Sequence, residues 1–188
     1  RIERISAHPM PLDGQTADVR IEGGGRTLMP GLIDAHWHAL LARPTFAGLG
    51  FPLPDRIRVS CGWPSKSATS GRNRRIGEAW SHRCSADGAH ETFLSPSLAD
   101  PVEVGAVLVH ELVHHAVGVE QGHRGPFTRC AKAVGLVGPM RATSAGAELA
   151  GRLHALAETI GPYPHGALVA GDGRKKQSTR MLKVQCAD

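Results

Sequence analysis

The sequence predicts an α+β fold in which a small antiparallel sheet packs beside a helical core. Strand-like alternation of apolar and polar residues is clearest in 56–95, and helical periodicity in 100–160. The 188 residues include 23 glycines and 13 prolines, which favour many turns and short elements over long helices. A chain of this length has room for one core, or for one domain with an appendage.

Three segments are predicted as the strands of the sheet. Alternation predicts the first at 56–61 (RIRVSC), after an extended linker at 51–54 (FPLP). The chain then passes through a polar, basic loop and can return as a second strand at 75–80 (RIGEAW). An Asp-Gly turn precedes the third, at 90–95 (HETFLS).

The helix predicted at 100–117 has the clearest start in the chain. Asp100 stands at the N-cap, Pro101 at the first helical position and Glu103 at the third, which is a variant of the capping box. Gly118 is the expected end, because glycine accepts the backbone conformation that closes a helix.

Two further helices are predicted downstream. The first covers 127–134, after a Gly-Pro pair that opens it and before a glycine that ends it. The second covers 145–160, with Thr143 or Ser144 as its cap, and the segment 161–165 (GPYPH) stops it.

The long helix carries the HExxH motif, His110-Glu111-Leu112-Val113-His114, and His123 follows after a short loop. Residues four apart lie on the same face of a helix, so His110 and His114 can offer two imidazoles to one metal ion. A catalytic zinc takes three protein ligands, and imidazole suits it. Glu111 can then act as general base on the attacking water. The alternative is a histidine pair that only packs on a helix face.

A second pair of histidines lies in the first 40 residues. The segment 32–38 (LIDAHWH) is typical of a buried strand, on which His36 and His38 point to the same side. Residues 17–40 resemble the start of amidohydrolases, where a PGLIDxHxH strand of a TIM barrel binds metal. Such a barrel needs about 250 residues, and nothing after residue 41 repeats a strand–helix unit. Residues 1–40 are therefore interpreted as an appendage, with His36 and His38 as a second, weaker metal-site candidate, or else as loosely packed or disordered residues.

From about residue 41 to 186 the chain resembles SprT-like zinc metallopeptidases. The resemblance implies a zincin-like helical core around HExxH, with His110, His114 and His123 as zinc ligands and Glu111 as catalytic base. It also implies protein or peptide substrates, since the family includes proteases that clear DNA–protein crosslinks. The matching segments are RVSCGWPS (58–65), IGEAWS (76–81), HETFLSP (90–96), DPVEVGAVLVHELVHHAVG (100–118), GHRGPFTRCAKAVGL (122–136), GPYPH (161–165) and RKKQSTRMLKVQC (174–186).

The domain organisation that follows has three parts. A metallopeptidase domain covers 41–172, between the appendage at 1–40 and a basic tail at 173–188. Members of the family often end in a zinc ribbon, and Cys186 stands where its first cysteine would be. The partner cysteines are missing, and a ribbon with one ligand cannot hold zinc.

Three residues are secondary candidates around the metal site. Tyr163 and His165 are expected as hydrogen-bond donors to a tetrahedral oxyanion, or else as part of a turn that stops the last helix. Glu148 is a candidate for orienting a ligand histidine, or else a solvated charge on a helix. His115 points about 100° away from His114 and is expected to be a packed or exposed histidine.

Charge and cysteine content limit the partners and the compartment. The net charge of +5 and the pI of about 9.4 are compatible with nucleic acid, which the basic segments Arg72–Arg75 and Arg174–Lys176 would contact. No apolar run approaches membrane-spanning length, and the first residues do not resemble a signal peptide. The four cysteines form no CxxC pair, so a reduced, cytoplasmic setting is expected.

The sequence therefore predicts a zinc-dependent peptidase, and two other functions stay open. One is a non-catalytic DNA-binding module that a metal stabilises. The other is an amidohydrolase-type enzyme for cyclic amides, which would need metal at His36 and His38.

Overall fold

The computed structural model describes residues 42–70, 72–161, 163 and 165–169. Several predictions fall outside these residues: the appendage with His36 and His38, the basic tail, Cys186 and the segment Arg174–Lys176. The metallopeptidase domain predicted at 41–172 is described over most of its length.

The described chain is a mixed α+β fold with four helices and a small sheet of three strands, which confirms the predicted class at that level. In chain order the elements are α1 (42–48), β1 (Ile57–Cys61), β2 (Gly77–Trp80), β3 (His90–Leu94), α2 (Pro101–Val117), α3 (Gly125–Ala133), β4 (Leu136–Val137), β5 (Ser144–Ala145) and α4 (Ala147–Ile160). Short 3-10 turns follow β2, at His82–Cys84, and α2, at Val119–Gln121.

The sheet has the order β1-β3-β2 and is mixed rather than antiparallel. β2 pairs with β3 in the antiparallel sense, as predicted, but β1 and β3 are parallel, so the prediction is wrong for that pair. β3, the last of these three strands in sequence, inserts between the other two, and its buried side chains are Thr92 and Leu94. Alternation identifies strands but not neighbours, because each strand carries the same period of two.

Helix α2 runs through the centre of the fold. Its residues from Val104 to Val109 are buried on every side, which is typical of a helix enclosed by other elements. The predicted cap is confirmed, since the backbone N–H of Glu103 donates to Oδ1 of Asp100 over 2.8 Å. The predicted end is confirmed as well: Gly118 closes the helix with φ of 93°, a conformation that a side chain would strain.

The two later helices begin at different residues from those predicted. α3 starts two residues early, with Pro126 in its first turn, and α4 starts two residues late, with Gly146 as its cap. Thr143 and Ser144 therefore do not cap α4. Ser144 instead pairs with Val137 in the β4–β5 hairpin, and this places Thr143 at the end of a turn beside α2.

The hydrophobic core lies between the sheet and helices α2 to α4. Leu112 and Val113 of α2, Phe127 of α3 and Val59 of β1 are fully buried there. Helix α1, which the sequence pattern did not indicate, adds Phe46 to this core. Within the residues that the structure describes, no helix is both long and apolar enough to cross a bilayer.

Candidate metal centre

Three histidines converge at the C-terminal part of α2. His110 and His114 lie one helical turn apart, and the turn that follows α2 returns His123 to them. Nε2 of His123 is 3.1 Å from Nε2 of His110 and 3.2 Å from Nε2 of His114. The predicted convergence is confirmed, and among the described residues this is the one group of three or more potential ligands close enough to share an ion.

The two distances from Nε2 of His123 fit a metal ion, and the three ligand atoms lie within 4.8 Å of one another. Tetrahedral zinc with bonds of about 2.05 Å to nitrogen would separate its ligand atoms by about 3.3 Å. Hydrogen bonding alone accounts poorly for the cluster, since Nε2 of His123 carries either one hydrogen or one lone pair and faces two partners. A cation between three lone pairs would satisfy all three rings.

The electrostatic environment keeps these rings neutral, as metal ligands must be. Burial, followed by the neighbouring His123, lowers the pKa of His110 to about 4. Burial and the surrounding histidines lower the pKa of His114 to about 3. For His123, burial and then Arg141 and Arg75 lower the pKa below its usual value.

Phe127 forms the floor under the three imidazoles. Its ring centroid lies 5.0 Å from that of His110, 4.5 Å from that of His114 and 4.8 Å from that of His123. The side chain is fully buried at the start of α3. One rigid ring therefore packs against all three ligand candidates and restricts how each of them can turn.

Thr143 orients His110 from the side away from the other rings. Its Oγ1 lies 2.8 Å from Nδ1 of His110. When Nδ1–H of His110 donates to this hydroxyl, the lone pair of Nε2 points at the cluster. Hydrogen bonds of this kind fix the tautomer and direction of histidine ligands.

We expect Thr143→Val to weaken zinc binding by about 10- to 100-fold, since such outer partners typically contribute that much. Valine keeps the shape of threonine but cannot accept the hydrogen bond from His110. Competition with a chromogenic chelator measures the affinity, and Thr159→Val, at an exposed threonine of α4, is the matched control. Equal affinity of the wild-type protein and Thr143→Val would contradict an orienting role.

Glu111 is buried between α2 and the edge strand β2. Its side chain is 6% exposed, and its carboxylate accepts a hydrogen bond from the backbone N–H of Ala79. Burial raises the pKa of this carboxyl to about 8, although the charge of Arg75 acts in the opposite direction. A cation in the histidine cluster would favour the ionised form further.

Gly77 makes room for Glu111 at this strand. A Cβ at residue 77 would overlap the Glu111 carboxylate and would lie 2.7 Å from Cγ1 of Val107. The strand can approach α2 this closely only because residue 77 has no side chain.

For the predicted peptidase activity, Gly77→Ala should therefore lower kcat by about tenfold or more, because a displacement of about 1 Å at the predicted general base is costly. The zinc content should stay near that of the wild type, since the three histidines are untouched. Gly151→Ala, at an exposed helical position with open space around it, is the control. Unchanged kcat in Gly77→Ala would show that the close approach has no catalytic importance.

A second buried carboxylate, Glu78, holds the basic loop against β2. It accepts hydrogen bonds from the backbone N–H and the hydroxyl of Ser65, at 2.7 and 2.6 Å, and forms an ion pair with Arg75. Burial opposes its ionisation, but the hydrogen bonds from Ser65 hold its pKa below the usual value. Glu78 thus fixes Arg75 at the mouth of the site.

The three histidines and Glu111 open into one cleft of about 340 Å³. One wall is residues 74–79, which include most of β2, and the opposite wall is residues 141–143. Of the predicted basic segment Arg72–Arg75, Arg74 and Arg75 belong to this wall. Contact between this segment and nucleic acid stays a prediction.

The secondary candidates Tyr163 and His165 lie elsewhere. The Tyr163 hydroxyl hydrogen-bonds the thiol of Cys61 on β1, the sheet edge opposite β2, and Nε2 of His165 is 3.1 Å from the carbonyl oxygen of Pro96. Neither side chain lines the cleft. This placement contradicts a role as oxyanion donors and fits the alternative, a turn that packs after α4.

Glu148 does not contact the ligand histidines either. Its carboxylate is 89% exposed on α4 and lies 3.9 Å from the guanidinium of Arg152. The prediction that it orients a histidine is wrong, because α4 begins at 147 and turns this residue to solvent. Thr143 occupies the orienting position instead.

His115 is a packed histidine, as predicted. It is 4% exposed, its Nε2 is 2.7 Å from Oγ1 of Thr92, and its Nδ1 is 3.3 Å from Nδ1 of His90. It therefore joins α2 to the central strand β3, on a different face from the metal cluster.

Sequence reasoning missed Thr143, Phe127 and Gly77 as parts of the site. Each comes from a different segment, and none belongs to a motif that indicates its role. Only Gly77 could have been found from the sequence, since a glycine inside a strand often marks the close approach of another group.

Comparisons with protein-family models, with curated proteins and with solved structures found no match to this chain.

Proposed function

We propose that this chain is a zinc-dependent metallopeptidase of the SprT-like type, which hydrolyses peptide bonds. One observation carries the proposal: three imidazole nitrogens spaced for a single ion share a cleft with a buried carboxylate. Catalytic zinc sites are built from three protein ligands and an open position. The resemblance of the HExxH and GHRGP motifs to that family supports the same assignment.

The residues of the cleft have different roles in hydrolysis. Bound by His110, His114 and His123, Zn²⁺ would polarise the scissile carbonyl and increase the acidity of water. Glu111 takes a proton from the attacking water and passes it to the departing amine. The N–H of Ala79 and the missing side chain of Gly77 keep that carboxylate in place.

The edge strand β2 is suited to hold an extended substrate. Ile76 turns its carbonyl to the sheet, where it accepts from the N–H of Ser95, while Ala79 turns its N–H outward to Glu111. Backbone groups alternate along a strand, so those of Gly77 also face the cleft. A peptide that adds as a further strand would lie with its backbone beside the metal ligands.

Removal and return of zinc test the proposal. The purified chain should contain about one zinc ion and cleave an unstructured peptide mixture, with the products read by mass spectrometry. Dialysis against a chelator should abolish cleavage, and stoichiometric zinc should restore it. Cleavage that persists without metal would overturn the assignment, as would a fully metallated protein that cleaves no peptide.

A further inference from the structure

A second hollow adjoins the metal cleft. Its volume is about 640 Å³, and it shares His123 and Arg141 with the cleft. Arg124 and Met140 belong only to the hollow. A substrate held along β2 and past the metal ligands would therefore continue into this space.

Two guanidinium groups give the hollow its charge. Arg124 precedes α3 and Arg141 lies in the turn between β4 and β5, and both are exposed. Within the described residues neither side chain has a hydrogen-bond or ion-pair partner. The acidic residue of the hollow is Glu120, whose carboxylate packs against Gly118 at the end of α2, where an added Cβ would meet its Oε2 at 3.0 Å.

We propose that Arg124 and Arg141 form a subsite for the carboxylate side chain of an acidic residue that flanks the scissile bond. The inference rests on the proposed function, because it names the peptides that the same site prefers. Guanidinium groups present hydrogen-bond donors in a geometry that matches carboxylates. Two such groups lining the same hollow favour the binding of an anion. Met140 adds an apolar wall for the methylene groups of glutamate.

The surroundings favour an acidic peptide over a nucleic acid at this position. A nucleic-acid strand is contacted by a succession of cations along its backbone, which releases many counterions. The hollow offers two such groups at the end of a cleft of about 340 Å³, which has the dimensions of an extended peptide segment. On the opposite wall Arg75 forms an ion pair with Glu78, which compensates part of its charge, and Arg74 is the other cation there.

A cleavage assay with matched peptides tests the subsite. In a random peptide mixture, glutamate or aspartate should be enriched at one position near the cut. Its replacement by glutamine should lower kcat/KM by about two- to fivefold, as expected for a solvent-accessible charged pair. In Arg141→Glu the preference should reverse to lysine at the same position, with zinc content unchanged. Arg83→Glu, an exposed arginine outside the hollow, should keep the acidic preference.

A binding assay tests the subsite without catalysis. Glu111→Gln protein should bind a fluorescent acidic peptide about two- to fivefold more tightly than the same peptide with glutamine in place of the acidic residue. Arg141→Glu should remove the difference. If this preference appears while the wild type cleaves nothing, the subsite stands and the peptidase proposal fails. If peptides are cut and bound without regard to acidic residues, the subsite is refuted and the peptidase remains. The subsite is also refuted if charge reversal of Arg124 and Arg141 abolishes binding of a duplex oligonucleotide but leaves the preference for acidic peptides intact.

Discussion

Replacement of His123 by alanine should lower the zinc content from about one ion per chain to near zero and reduce cleavage by at least about a thousandfold. Its Nε2 lies within 3.2 Å of both other ligand nitrogens, so its loss leaves only two imidazoles from one helix. Elemental analysis of the purified variant measures the metal, and initial rates on a cleaved peptide measure activity.

A histidine outside the cluster provides the control for this substitution. His154→Ala removes an exposed imidazole of α4 and should keep both metal and activity. The same measurement on His36→Ala distinguishes the amidohydrolase alternative from the peptidase. An amidohydrolase would lose its metal ion in His36→Ala and keep it in His123→Ala. Full zinc content in His123→Ala would remove the basis of the proposed metal centre.

The second large effect is expected at Glu111. Glu111→Gln should lower kcat by about 10²- to 10⁴-fold, the usual contribution of a general base, while the zinc content stays unchanged. Glutamine has the same shape and can still accept the hydrogen bond from Ala79, so the fold should tolerate the exchange. A loss in kcat with little change in KM would place the effect in the transition state.

Glu148→Gln is the control for Glu111→Gln, because it makes the same chemical change at an exposed position of α4. Its rate should equal that of the wild type. If Glu111→Gln leaves every activity unchanged while removal of zinc unfolds the protein, the chain is instead a metal-stabilised module without catalysis. The peptidase assignment depends on this carboxylate as much as on the three histidines.

Local signals were sufficient for much of the fold and for the centre of the site. Asp100 and Gly118 mark the ends of α2 because capping depends on the residue itself and its immediate neighbours. The spacing of His110 and His114 put them on one face for the same reason, since helical geometry relates residues four apart. The three strands were located by their alternation, which is also a local property.

The sequence did not indicate the contacts between distant segments. The parallel pairing of β1 with β3 depends on which strands become neighbours, and α1 lacked a pattern of its own. The hydroxyl of Thr143 suits a helix cap, yet it pairs with His110, 33 residues away. Residue type alone also leaves two roles open for Glu148, Tyr163 and His165, and the structure places all three away from the histidine cluster.

Helix α2, its caps and the residue types that can bind a metal ion follow from the sequence, because they depend on neighbouring side chains. Which distant groups surround the cluster depends on tertiary packing: Phe127 lies under the rings, Gly77 beside Glu111, and Arg124 and Arg141 line the adjoining hollow. These groups come from segments that are far apart in the chain, and only the burial of a common core brings them together.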